Sequence, residues 1–202
     1  EMKSNMKNAL IINAAQTVPG VAEGKLNGTI AAAIEETLVR SGYDVRHTAI
    51  SAGYVIDDEV KKHVWADLII CQSPVFWFGL PWPYKKYIDE VLTAGLMQQA
   101  MLEGDGRSRE HPERQYGSGG KLHGRRYMLS LTWNAPADAF GIPPQDLFEG
   151  KTVDDVFISN TANYKFCGAE ILRSFSCFDV VKNPNIEADL IRLHRHLESV
   201  LN

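Results

Sequence analysis

Apolar and polar positions along this chain change period several times, and each change marks an element. Ala9-Leu10-Ile11-Ile12-Asn13 and Leu68-Ile69-Ile70-Cys71 are unbroken apolar runs, as expected of strands buried on both faces. Residues 44–50 alternate instead, as an outer strand would, which turns His47 toward solvent and leaves it without a role. Residues 126–132 and 170–178 read as the fourth and fifth strands. Leu26 to Arg40 repeats apolar side chains at 26, 30, 34 and 38, a helical spacing that Ser41-Gly42 stops. Further helices are predicted over 58–65 with Asp57 as cap, 84–92 with a break near Gly95, 152–163 with Thr152 as cap, and 185–201. Strand and helix alternate throughout, which implies one parallel sheet covered on both faces. An outer second strand beside strongly apolar first and third strands gives the order 2-1-3-4-5. The fold class is therefore α/β: a flavodoxin-like doubly wound five-stranded parallel sheet with helices on both faces.

In such a sheet, ligands bind beyond the carboxyl ends of the strands, near the point where the strand order reverses. That rule selects three loops: 13–29, 73–81 and 132–136. The first leads into a helix N-terminus, where unpaired N–H groups favour an anion. Gly24 there permits close backbone approach, and Lys25, Asn27 and Thr29 add donors; the plainer reading is that Asn27 and Thr29 only cap the helix. Glu23 is discordant, since it repels phosphate. The second loop, Ser73-Pro74-Val75-Phe76-Trp77-Phe78-Gly79-Leu80-Pro81-Trp82-Pro83, holds three prolines and four aromatic side chains. Such a composition is costly in an exposed loop unless something flat lies against it, a subunit contact being the alternative. With Trp133 and Asn134 from the third loop, it makes planar walls and an amide donor beside an anion seat. A nucleotide ending in a flat ring, as a flavin does, fits this combination. Gly117-Ser118-Gly119-Gly120 follows no strand and reads as a flexible loop feature with little claim to phosphate. It lies within 95–124, an irregular stretch long enough to suggest function or interface.

Composition narrows the field. At 202 residues with 45% apolar and 23% charged side chains, the chain suits one soluble domain, and its net charge of −4 gives no reason to expect nucleic acid. No apolar run approaches the roughly 18 residues of a membrane span. Cys71, Cys167 and Cys177 are widely spaced, so reduced thiols and a cytoplasmic location are expected, with Cys71 a small buried hydrophobe. Residues 1–6 are set aside as an extension partly of expression origin, and residues 7–202 are read as one domain. There is no GxSxG, HExxH or P-loop. His194 and His196 lie about 200° apart round a helix and cannot chelate one metal from one face; they are expected to be solvated, and no metal is expected.

Several of these segments resemble the flavodoxin-fold NAD(P)H:quinone reductases. The likeness runs from Lys7 to Leu201, and is densest in Gly24-Lys25-Leu26-Asn27, Asp105-Gly106-Arg107, Tyr116-Gly117-Ser118-Gly119-Gly120 and the run from Tyr127 to Pro136. The resemblance implies non-covalent FAD, ping-pong two-electron reduction of quinones by NADPH, and a homodimer with active sites at the subunit interface. It places Ala22, Glu23, Gly24, Lys25, Leu26, Asn27, Gly28 and Thr29 at the FAD pyrophosphate and adenosine side. It places Pro74, Val75, Phe76, Trp77 and Phe78 with Thr132, Trp133, Asn134 and Ala135 around the isoalloxazine. Tyr116 becomes a further flavin contact and a candidate donor to the quinone. The chain departs from the family pattern at Ala22-Glu23 and at Val75, where a glycine is usual. Arg107, Arg109, Arg125 and Arg126 are candidates for a 2′-phosphate. Alternatives are an FMN-dependent azoreductase or FMN reductase, and a non-enzymatic electron carrier.

Overall fold

The computed structural model describes residues 6–20, 23–141 and 145–201. Strands β1 (Lys7–Asn13), β2 (Tyr43–Ala49), β3 (Leu68–Pro74), β4 (Arg126–Thr132), β5 (Glu170–Ile171) and β6 (Phe175–Cys177) form one parallel sheet in the order β2-β1-β3-β4-β5. Both β5 and β6 pair with β4. The fifth strand expected over 170–178 is thus broken in two. Its register to β4 slips by one residue between Ile171 and Phe175, so the intervening residues bulge away from the ladder.

Helices α1 (Lys25–Arg40) and α6 (Ile186–Leu201) cover one face, while α2 (Ile56–Trp65), α3 (Trp82–Met97) and α5 (Ile158–Phe166) cover the other; α4 (Val153–Val156) is a single turn. Period-2 geometry divides each central strand between two cores. Ala9, Ile11 and Ile70 meet Ile30, Ile34, Leu193 and Leu197, whereas Leu10, Ile12, Ile69 and Cys71 meet Tyr84, Tyr87, Ile88 and Val91. Burial on both faces is why these strands carry no alternation.

Five expectations are corrected. Helix α3 starts at Trp82 and passes straight through Gly95, which is glycine because a Cβ there would lie 2.6 Å from Met101 Sδ. Asp57 is inside α2, whose N-cap is Val55, and its carboxylate accepts from Gln98 Nε2 at 2.9 Å. Thr152 does cap, with Asp155 completing a capping box, but the helix breaks at Phe157 into α4 and α5. The glycine string is packed rather than loose. Leu102 and Gly120 form an antiparallel bridge, and a Cβ on Gly119 or Gly120 would lie 2.4 Å from Gly104 O or 2.2 Å from Cys167 C. Its glycines serve close backbone approach. The α6 histidines are half-buried: His194 Nδ1 lies 2.9 Å from Thr37 Oγ1, and His196 Nε2 donates to Arg173 O at 2.9 Å. His47 is exposed and pairs with Glu35 at 3.0 Å. No described helix is long and apolar enough to cross a membrane.

Candidate functional site

The ladders continue past the strand ends: Ala14 N–H donates to Gln72 O, Val75 N–H to Thr132 O, and Trp133 N–H to Cys177 O. The three selected loops therefore leave the sheet side by side, at its carboxyl edge.

In the first loop, Gly24 precedes α1 at φ +74°, a left-handed conformation open to glycine at little cost, and no side chain caps the helix. The side-chain donors expected to face an anion are committed elsewhere. Asn27 is buried, its Nδ2 donating to Asn13 Oδ1 at 2.8 Å and its Oδ1 accepting from Gln72 Nε2 at 2.9 Å. Thr29 Oγ1 donates back to Lys25 O, Gly28 N–H closes the first helical turn on Gly24 O, and Leu26 packs against the core. What the turn offers an anion is backbone N–H. Glu23 is accommodated by Lys25 at 2.6 Å, an exposed pair of little energetic weight. Ala22 lies outside the described residues.

The second loop is a two-residue hairpin. Phe76 N–H donates to Gly79 O at 2.9 Å and Gly79 N–H to Phe76 O at 3.1 Å, with Trp77 at φ +49° and Phe78 at φ +64° between them. Two successive positive φ angles make a type I′ turn, a geometry that favours Asn-Gly and strains bulky side chains by roughly 1–2 kcal/mol each. Trp77 is nevertheless 94% exposed, so packing against the described residues does little to offset that strain. Phe78 meets Phe148 edge to face at 5.7 Å, and half-buried Val75 packs on the core. Pro74 ends β3 and receives the Ser73 hydroxyl on its carbonyl.

In the third loop, Trp133 departs from expectation. Its ring is 1% exposed, packed edge-on against Phe140, Phe148 and Phe157, and its Nε1 donates to Ser176 Oγ at 3.3 Å. It is an anchor for the loop and presents no wall to a ligand. Thr132 is buried, Asn134 exposed and Ala135 half-buried, with Ala135 O accepting from Asp179 N–H. Phe140 and Phe148, stacked at 4.5 Å, link Trp133 to Phe78. They come from an irregular segment whose spacing carries no signal, and Gln72 was equally hidden at the polar end of an apolar strand.

Tyr116 is not brought to this edge. Its ring lies 5.3 Å from that of Phe166 at the end of α5, and Arg107 stands 5.2 Å over it, its Nε and Nη2 both donating to Asp105 Oδ2. Phe166 closes α5 just before β5, which pairs with the start of β4, whereas the candidate loops follow its end. Seven residues of strand separate the two regions, roughly 20 Å. Three of the four arginines proposed for a 2′-phosphate, Arg107, Arg125 and Arg126, are there too, and occupied, while Arg109 is exposed. Arg107 pairs with Asp105, Arg125 donates to Val64 O, and Arg126 to Val200 O and Tyr43 Oη.

A cavity of about 370 Å³ lies elsewhere, between β6, α4 and α6. There Arg192 and His196 donate to the carbonyls of Ser176 and Arg173. These bonds blunt the edge of the sheet.

A family model described as flavodoxin-like fold matches residues 7–200. The chain is 43% identical over 181 residues to an NADPH:quinone oxidoreductase, MdaB, of Haemophilus influenzae, covering 90% of this chain and 93% of that protein. A Klebsiella pneumoniae protein proposed to be a quinone reductase superposes with a TM-score of 0.76 at 20% identity, over 96% of this chain and 85% of that one. General stress protein 14 of Treponema denticola, solved in complex with FMN, superposes with a TM-score of 0.59 at 21% identity, over 96% and 95%. With its strand order, its switch-point loops and these matches in agreement, the chain belongs to the flavodoxin-like fold family.

Proposed function

We propose that the protein is a flavin-dependent NAD(P)H:quinone oxidoreductase, using FAD and taking its hydride from NADPH in a ping-pong cycle. The observation that carries this reading is Trp77, held almost fully exposed in a strained turn between an uncapped helix N-terminus and the 132–135 loop. A solvent-facing indole maintained against strain is in keeping with a flat ligand stacking there. The named oxidoreductase relative, matched along nearly its full length, supports quinone as the acceptor.

A bound flavin would take up a hydride from the nicotinamide and pass it to the quinone. The chain's own contribution is position and exclusion. The N–H groups opening α1 would hold the phosphates, Trp77 and Phe78 would orient the ring and shield it from water, and the backbone N–H groups of residues 77–78 and 134–135 would meet its polar edge. Pro74 limits the freedom of the turn's entry.

A homodimer belongs to the proposal. Tyr116 sits a strand length from the loops, so it meets the flavin only from a second copy. Trp82 and Met97, exposed at the two ends of α3, offer apolar surface for that contact. The FMN-bound structural neighbour keeps an FMN-dependent reductase as the second reading. Heat release and identification of the flavin, followed by NADPH and NADH oxidation with menadione as acceptor, tests both. FAD release with menadione turnover supports the proposal; FMN release with azo-dye reduction favours the alternative; protein that stays colourless after incubation with FAD refutes it.

A further inference from the structure

Three amides lie in line beneath the first turn of α1, and one backbone group sets the direction of all of them. Ala15 N–H donates to Asn13 Oδ1 at 2.9 Å, so that atom is an acceptor. Asn27 must then turn its Nδ2 toward Asn13, at 2.8 Å, and its Oδ1 away. That oxygen in turn requires the Nε2 of Gln72, at 2.9 Å. The chain joins the ends of β1 and β3 to the third residue of α1, all but the first member fully or nearly buried. Reversing any one amide would set two acceptors or two donors face to face.

Gln72 occupies a strand position with no solvent exposure, where Ile or Val would serve the core better. Among the described residues its Oε1 is buried without a hydrogen-bond partner, as is Oγ of Ser130, its register neighbour on β4. A buried orphan acceptor is costly. Among the described residues the amide's one bond is the one it makes to Asn27, so its contribution lies there.

We infer that Gln72 is a positioning residue, acting through Asn27 to hold the opening turn of α1 with its N–H groups converged on the phosphate of the flavin. The inference rests on the flavin reading above and deepens it. With the Gln72 amide removed, Asn27 Oδ1 is left unsatisfied while α1 stays docked. The first turn relieves this by swinging toward water, and the fraction of molecules able to bind phosphate falls. Apparent affinity falls by the same factor. Only ligands that carry phosphate feel the change.

The test is Gln72→Met, which keeps the side-chain length, and Asn27→Ala, which breaks the relay with a strong helix former. Affinities of FAD, FMN and riboflavin are measured by equilibrium flavin fluorescence titration, well below each variant's melting temperature. The expected result is a weakening of about tenfold for FAD and FMN, with riboflavin within about twofold of wild type. An equal loss for riboflavin would show a merely structural residue and overturn the inference, as would unchanged FMN affinity in the two variants. Wild-type protein that binds none of the three would overturn the flavin reading itself, together with the relay.

Discussion

Replacing Trp77 with asparagine should make the free protein more stable and the flavin complex weaker. Trp77 holds φ +49° at the first central position of a type I′ turn, where asparagine is among the favoured residues. The left-handed conformation costs a bulky side chain roughly 1–2 kcal/mol, most of which asparagine recovers. Because the indole is 94% exposed, its removal sacrifices little packing in the free chain. The balance is a gain of about 1 kcal/mol, which in a domain of this size raises Tm by about 2–4 °C. The same substitution removes the exposed ring face, and base-ring stacking of this kind contributes roughly 1–3 kcal/mol, so flavin affinity should fall about tenfold or more. Calorimetry of the flavin-free protein and fluorescence titration with FAD read the two effects separately. A lower Tm in the free variant, or undiminished FAD affinity, would refute the reasoning that strain is kept there for a ligand.

Other positions allow sharper tests of the fold. Gly95→Ala should cost about 1–3 kcal/mol by denaturant unfolding, because its Cβ runs into Met101 Sδ, and Met101→Ala should cost less in that background than in the wild type. His63 is fully buried, with Nδ1–H donating to Glu59 O and Nε2 accepting from Tyr164 Oη, and burial holds its pKa below 6.5. A folded-state pKa below the unfolded one means that its contribution is complete above about pH 6.5 and is lost as the pH falls below it. His63→Gln should therefore flatten the acid limb of stability against pH by up to about 1.4 kcal/mol per unit, as urea midpoints between pH 6.5 and 5 would show. Thr152→Ala removes the capping box and should cost about 1 kcal/mol in the same assay. Cys71 and Cys177 are buried with their thiol pKa values pushed up to about 12, so both should resist alkylation at pH 8 until the chain unfolds.

Much of the scaffold is written locally. Unbroken apolar runs at 9–12 and 68–71, alternation at 44–50 and the 26-30-34-38 spacing determine strand type, edge position and helix face by chemistry that acts within a few residues. From them the strand order follows, and with it the three loops at the carboxyl edge. The glycine before α1 was legible for the same reason, whereas the absence of a side-chain cap, where Asn27 and Thr29 were candidates, emerged only in the fold.

What each side chain does at that edge was decided only by packing. Asn27 and Thr29 look like phosphate donors, yet the sheet beneath claims one and the helix backbone the other. Trp133 looks like a flavin wall, yet Phe140 and Phe148, from the irregular segment that follows it and without periodicity, enclose it. Tyr116 is near the site in motif and a strand length away in space. The strain at Trp77 and Phe78 is likewise a property of φ angles set by the Phe76–Gly79 pairing. Local sequence determined where a ligand edge would form, because strands and helices are short-range. Which atoms face it depends on long-range contacts that satisfy buried polar groups first, and those exist only in the folded chain.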